Sequence, residues 1–99
     1  MDPSITNVVQ HFGDTADWDF GKAEGATLYL IDGAHTYEYA RNDTQKAMAA
    51  ARGRAATFLW HDCDRWHPDV ARRVADMARA GHPVTRIAQT HLAIMDLDR

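Results

Sequence analysis

Apolar and polar positions along this chain follow two different periods, which predicts strands interleaved with helices. The runs TLYLI at 27–31 and AATFLW at 55–60 are continuously apolar, which is typical of strands covered on both faces. From Thr36 onward apolar positions recur at helical spacing, and Gly53 stands where this helix would end. A second helical pattern begins at Pro68 and stops at Gly81.

The two ends of the chain complete the predicted order of elements. The segment TNVVQHF at 6–12 is predicted to be a short strand, and the polar stretch after it a loop or a single helical turn. Residues 84–88 and 92–97 predict a C-terminal antiparallel hairpin, with one long bent strand as the alternative. Strands that alternate with helices indicate one α/β domain over residues 1–99, with a mostly parallel sheet.

Composition narrows the class of protein. The 99 residues are 45% hydrophobic and 25% charged, as in an ordinary globular domain. A net charge of −3 with scattered arginines argues against a nucleic-acid partner, and no stretch is long enough to cross a bilayer. With a single cysteine and no secretory signal pattern, we expect a cytoplasmic protein whose partners are small molecules or other proteins.

Acidic and imidazole side chains follow the predicted strands. Asp32 and His35 come after the first apolar run, His61 and Asp62 after the second, and Asp14 after the N-terminal strand. Since ligands gather at the carboxyl ends of parallel strands, these groups are candidates for a metal site or for acid–base chemistry. The alternative is structural, with Asp32 or Thr36 capping the helix that follows and His35 exposed to solvent.

Nearby residues carry weaker signals. Cys63 is expected to be a buried, unreactive thiol, and Asp64 is assigned no role. Trp18 and Trp66 fall in predicted loops, where a packing role is favoured over stacking on a planar ligand.

A longer pattern connects these features. The strings LYLIDGAHTYEYARNDTQKAM, ATFLWHDCDRWHPDVARRV and PVTRIAQTHLAIM resemble the C-terminal half of class I S-adenosylmethionine-dependent methyltransferases. The most similar branch has an FIDGxHxYxxVxxD signature and includes metal-dependent, macrocin-type O-methyltransferases. The resemblance spans residues 8–96, and DGAHTYEYARND is its most specific part.

The resemblance implies a fold, a chemistry and a set of site residues. It implies a partial Rossmann-like sheet, methyl transfer to a small-molecule hydroxyl, S-adenosylmethionine as the donor and a divalent metal such as Mg or Mn. By this resemblance Asp32, His61 and Asp62 are metal ligands, His35 is the base for the hydroxyl proton, and Asp14 lies near the adenine amino group. His61 stands where the family has an acid, which favours a nitrogen-tolerant ion or no ion.

The sequence also departs from this family. The family's strand order is 3-2-1-4-5-7-6, and its Gly-rich GxGxG turn and first two strands have no counterpart before Ser4. Residues 28–31 would then form an exposed apolar edge, which predicts a homo-oligomer or a strand-exchanged dimer. The leading hypothesis is a methyltransferase-like protein or a truncated form of one. The alternatives are a non-catalytic binding or oligomerisation module and a metal-dependent, hydrolase-like protein.

Overall fold

A computed structural model of the chain describes residues 4, 6–9, 11–34 and 36–97. In it two helices pack on one face of a four-stranded sheet. The strands are β1 (Leu28–Ile31), β2 (Ala56–Trp60), β3 (Val84–Arg86) and β4 (Ala93–Leu97), and the helices are α1 (Tyr37–Ala51) and α2 (Pro68–Arg79). A short 3₁₀ helix, Phe20–Ala23, precedes β1.

Both predicted helices are present, and their ends follow from local sequence. The Thr36 hydroxyl caps α1 by accepting the Tyr39 N–H at 3.3 Å. At the other end Arg52, rather than Gly53, is the C-cap and has a left-handed backbone with a φ of 53°. Pro68 occupies the first turn of α2, as predicted. Proline is tolerated there because the N–H groups of the first turn have no hydrogen-bond partner within the helix.

The sheet is mixed, with the order β1-β2-β4-β3. β1 and β2 are parallel, whereas β4 is antiparallel to both β2 and β3. The predicted C-terminal hairpin is confirmed as the β3–β4 pair. The expectation of a mostly parallel sheet is wrong, because only the β1–β2 pairing is parallel.

The strand predicted at 6–12 is not formed among the described residues of that segment. Val9 is 78% and Phe12 85% exposed, and the sheet that the described residues form does not include this segment. A β-branched run without a neighbouring strand does not hold an extended ladder by itself. The helices and the mixed sheet show an α/β fold. The assignment to a Rossmann-like fold stays a prediction.

The hydrophobic core lies on the helix-covered face of the sheet. Phe58 and Trp60 of β2, Met77 of α2 and Met95 of β4 are fully buried. Inside this core the Trp60 indole N–H donates to the Thr44 hydroxyl at 2.9 Å, so the one polar atom of the indole is satisfied. Burial of each of these large side chains contributes about 2–3 kcal/mol.

The opposite face of β1 is open. Leu28 is 57% and Leu30 60% exposed, while Tyr29 between them is buried. The prediction that β1 is covered on both faces is wrong, because α1 and α2 pack into the same core and no helix of the described residues covers the other face. In the described part of the chain, neither helix has the length and apolar character that crossing a bilayer requires.

Candidate metal centre at the strand ends

The ends of β1 and β2 bring three of the sequence-predicted residues together. The two strands are parallel and pair Ile31 with Trp60, so the next residues, Asp32 and His61, leave the sheet side by side. The His61 N–H donates to the Ile31 carbonyl at 3.1 Å and fixes this alignment. Ligand atoms of Asp32, His61 and Asp62 all lie within 4.8 Å of one another.

The imidazole of His61 lies between the two carboxylates. Its Nδ1 is 3.2 Å from Asp32 Oδ1 and 3.1 Å from Asp62 Oδ1. Asp62 has a left-handed backbone with a φ of 59°, which is uncommon for a residue other than glycine. This conformation breaks the alternation expected of an extended chain, so that neighbouring residues His61 and Asp62 both contribute to one cluster.

Two opposing effects determine the charge of His61. Partial burial lowers the pKa of the imidazole, but the negative charges of Asp62 and Asp32, with their hydrogen bonds, outweigh it and raise the pKa overall. The cluster therefore favours a positive charge between the carboxylates. A proton on Nδ1 satisfies that preference, and a divalent cation that replaces the proton would do so as well.

The donor set fits a divalent cation of intermediate softness. Two carboxylates and one imidazole nitrogen suit Mn or a similar ion better than they suit an all-oxygen magnesium site. All three side chains are at least partly exposed, so the cluster is open to solvent. Open coordination positions are what a catalytic site needs, whereas a structural site is closed.

Asp64 lies beside this cluster and has a structural role that the sequence did not indicate. It is 6% exposed, and its Oδ1 accepts the backbone N–H groups of Trp66 and His67 at 2.9 and 3.0 Å. The ring nitrogens of His67 and His91 lie 3.0 and 2.6 Å from its two oxygens. Burial raises the pKa of the Asp64 carboxyl, but these hydrogen bonds outweigh it and lower the pKa overall.

Asp64 also belongs to a second possible ligand group, formed with Asp62 and His67 within 4.8 Å. Because both of its oxygens are engaged, we interpret Asp64 as the residue that orders the turn before α2. The available sequence signal was an aspartate shortly before Pro68, since an Asp side chain can accept the backbone N–H groups of the next few residues in a turn.

Asp14 does not join the cluster of ligand atoms. The Tyr39 hydroxyl on α1 donates to its carboxylate at 2.8 and 2.6 Å, and this hydrogen bond lowers the pKa of Asp14. Lys46 Nζ donates to the carbonyls of Thr15 and Ala16 at 2.9 and 2.7 Å. These contacts fasten the segment to α1.

The remaining sequence-predicted residues have separate outcomes. The proposed base, His35, lies outside the described residues, and its role stays a prediction. Cys63 is buried as expected, and burial raises the pKa of its thiol. Trp66 is 69% exposed, so the packing role predicted for it is wrong. Trp18 is half-buried and contacts the rings of His11 and Phe20.

Comparison of the chain with protein-family models, curated proteins and solved structures found no match. The geometry described above and the sequence resemblance are therefore the basis for a functional proposal.

Proposed function

We propose that this protein is methyltransferase-like, holds a divalent cation between Asp32, His61 and Asp62, and transfers a methyl group to a small-molecule hydroxyl. The observation that carries the proposal is the convergence of these three side chains at the carboxyl ends of two adjacent parallel strands. The sheet order supports it, since β1-β2-β4-β3 with an antiparallel β4 corresponds to strands 4-5-7-6 of the family that the sequence resembles.

Each residue has a defined part in the proposed site. Asp32 and Asp62 supply oxygen ligands, and His61 supplies nitrogen once its proton has left. A bound cation supplies positive charge that lowers the pKa of an acceptor hydroxyl. His35, three residues beyond Asp32, is the proposed base that receives the hydroxyl proton.

The methyl donor enters this proposal through the sequence resemblance alone. Both oxygens of Asp14, the residue expected near the adenine, lie within hydrogen-bond distance of Tyr39. The sequence has no GxGxG turn. The residues described do not by themselves make up a site for S-adenosylmethionine, so donor binding is measured separately from metal binding.

Isothermal titration calorimetry with MnCl₂, with MgCl₂ and with S-adenosylmethionine tests the proposal. We expect Mn to bind more tightly than Mg, and the affinity to increase with pH because His61 must lose its proton. Asp32→Asn and Asp62→Asn should each weaken Mn binding at least about tenfold, since even indirect metal partners are worth that much. Asp17→Asn, an exposed acid outside the cluster, is the matched control.

The outcomes separate the candidate functions. Binding of both metal and S-adenosylmethionine supports the methyltransferase proposal. Binding of metal alone favours the metal-dependent, hydrolase-like alternative. Absence of binding for metal and donor alike would overturn both and leave a non-catalytic module.

A second candidate function, a binding or oligomerisation module, is favoured by one specific observation. β1 lies at the end of the described sheet and exposes Leu28 and Leu30. Soluble proteins normally pair or cover such an apolar edge. Self-association through β1 is therefore the second proposed function.

A further inference from the structure

A cavity is lined in part by Asp64. It has a volume of about 310 Å³ and opens between the segment that follows β2 and the turn that joins β3 to β4. A neighbouring cavity of about 470 Å³ along α2 shares Asp64, Arg65 and Arg86 with it. None of the proposed metal ligands lines either cavity. Small-molecule sites begin at about this size.

Two arginines give this cavity a positive charge. Neither Arg65 nor Arg86 forms an ion pair with any residue that the structure describes. The acidic residue in the lining, Asp64, is buried and has its two oxygens engaged by His67 and His91. The lining therefore holds two guanidinium groups against one carboxylate that is engaged elsewhere, and each guanidinium can donate to a planar oxyanion.

An exposed aromatic ring forms another wall of the same cavity. Trp66 is 69% exposed, the highest exposure among the tryptophans described. The Arg65 guanidinium carbon lies 4.6 Å from the centre of its ring, a cation–π distance. A large ring held at the surface beside unpaired arginines provides a stacking surface for a flat ligand.

The walls of the cavity are joined by backbone hydrogen bonds. The Cys63 N–H donates to the His91 carbonyl at 2.9 Å and connects the segment after β2 to the β3–β4 turn. Within that turn the Ile87 N–H donates to the Leu92 carbonyl at 3.0 Å, and the Thr90 hydroxyl donates to the Ile87 carbonyl at 2.7 Å. A site whose walls are held before the ligand arrives loses less entropy on binding.

We propose that this cavity binds a small planar anion, an aromatic ring that carries a carboxylate or a similar oxyanion. The ligand ring stacks on the face of Trp66 that the Arg65 guanidinium covers in the free protein. The displaced guanidinium then donates, together with Arg86, to the oxyanion. This inference rests on the cavity and its lining, and it holds whether or not the protein transfers methyl groups.

Nuclear magnetic resonance with 2-naphthoate as the probe tests the proposal. We expect the indole N–H signal of Trp66 to shift with saturation, at a Kd of about 1 mM or lower. The indole N–H of Trp60 is buried and bonded to Thr44, so its signal should not move and reports that the protein stays folded. The uncharged 2-naphthalenemethanol and inorganic phosphate should each bind at least about tenfold more weakly, because each lacks one of the two interactions.

Variants assign the binding to individual residues. Arg86→Gln and Arg65→Gln should each weaken 2-naphthoate binding about tenfold, the usual effect of losing a charge-assisted hydrogen bond. Trp66→Leu should weaken it as well, as measured from the ligand signals. Arg41→Gln, which removes an exposed arginine that does not line the cavity, should leave the affinity unchanged.

Three results would overturn the proposal. They are the absence of a saturable shift at Trp66, equal binding of 2-naphthoate and 2-naphthalenemethanol, and equal affinities for Arg86→Gln, Arg65→Gln and Arg41→Gln. A failure here leaves the metal titration unaffected, because none of these variants changes a proposed metal ligand.

Discussion

Gly33 and Asp43 show how a single atom can constrain the loop that carries Asp32. Asp43 of α1 is 6% exposed, and its Oδ1 accepts a hydrogen bond from the Asn42 amide at 2.9 Å. A Cβ atom added to Gly33 would come within 2.9 Å of Asp43 Oδ2, closer than van der Waals contact allows. The glycine is therefore required by a close approach of side chain to backbone.

Replacing Gly33 by alanine should destabilise the protein by about 1 kcal/mol. Overpacking lowers the free energy of unfolding by about 1–3 kcal/mol. Replacing glycine also reduces the conformational entropy of the unfolded chain, which stabilises the folded state by about 0.4–1 kcal/mol and offsets part of that loss. Urea denaturation followed by circular dichroism measures the change.

The background variant Asp43→Ala is the control for Gly33→Ala. With the carboxylate removed there is no clash, so Gly33→Ala should be neutral or slightly stabilising in that background. An identical cost in both backgrounds would show that Asp43 is not the obstacle.

At the scale of elements, Tyr37 connects the two helices at the start of α1. Its hydroxyl donates to Asp76 of α2 at 2.6 Å, and its backbone N–H donates to Asp69 at 3.3 Å. The Arg72 guanidinium carbon lies 4.2 Å from the centre of the Tyr37 ring. The hydrogen bond from Tyr37, followed by the charge of Arg79, outweighs partial burial and lowers the pKa of the Asp76 carboxyl.

This helix contact should make stability depend on pH. Because the pKa of Asp76 is lower in the folded than in the unfolded state, its contribution is present above the unfolded value of about 4 and disappears as the pH falls through the folded value. Tyr37→Phe removes the largest cause of the shift and keeps the ring under Arg72. Wild type should therefore exceed Tyr37→Phe in urea midpoint near about pH 6, and the difference should shrink below about pH 4.

Tyr29→Phe is the matched control for this prediction. The Tyr29 hydroxyl donates to the Ala23 carbonyl at 2.8 Å, a group that does not titrate. The effect of Tyr29→Phe on the urea midpoint should therefore be the same at about pH 6 and below about pH 4. A similar constant difference for Tyr37→Phe would contradict the role assigned to Asp76.

At the scale of the whole molecule, β1 forms an open edge of the described sheet. The Thr57 N–H donates to the Thr27 carbonyl and the His61 N–H to the Ile31 carbonyl, so residues 27, 29 and 31 face β2. By alternation, the backbone groups of Leu28 and Leu30 point away from the sheet. Their side chains are exposed as well, so this edge presents both hydrogen-bonding groups and apolar surface to a partner.

We expect the protein to self-associate through this edge. Size-exclusion chromatography with light scattering at micromolar concentration should give a dimer or larger species for the wild type. Leu30→Lys should shift it toward the monomer, because a lysine on an edge strand opposes pairing. Gln45→Lys, a matched substitution on the exposed side of α1, should leave the oligomeric state unchanged. A monomeric wild type would contradict the prediction.

The parts of the fold that depend on local sequence were predictable. Pro68, the cap at Thr36 and the apolar runs at β1 and β2 specify elements through interactions within a few residues. The segment 6–12 was not predictable in the same way, since a strand exists only where another strand accepts its hydrogen bonds. The exposure of the Leu28 and Leu30 side chains likewise depends on which face of the sheet the two helices cover.

The sequence by itself determined the helices, the apolar strands and the presence of Asp32, His61 and Asp62 immediately after β1 and β2. Only the tertiary structure decided that these three side chains meet, because the parallel β1–β2 register and the left-handed backbone at Asp62 set their directions. It also decided that Asp64 is buried and accepts the N–H groups of the turn before α2, and that Trp66 is exposed beside Arg65. The physical reason is that element formation depends on neighbours in sequence, whereas burial and the grouping of charges depend on neighbours in space.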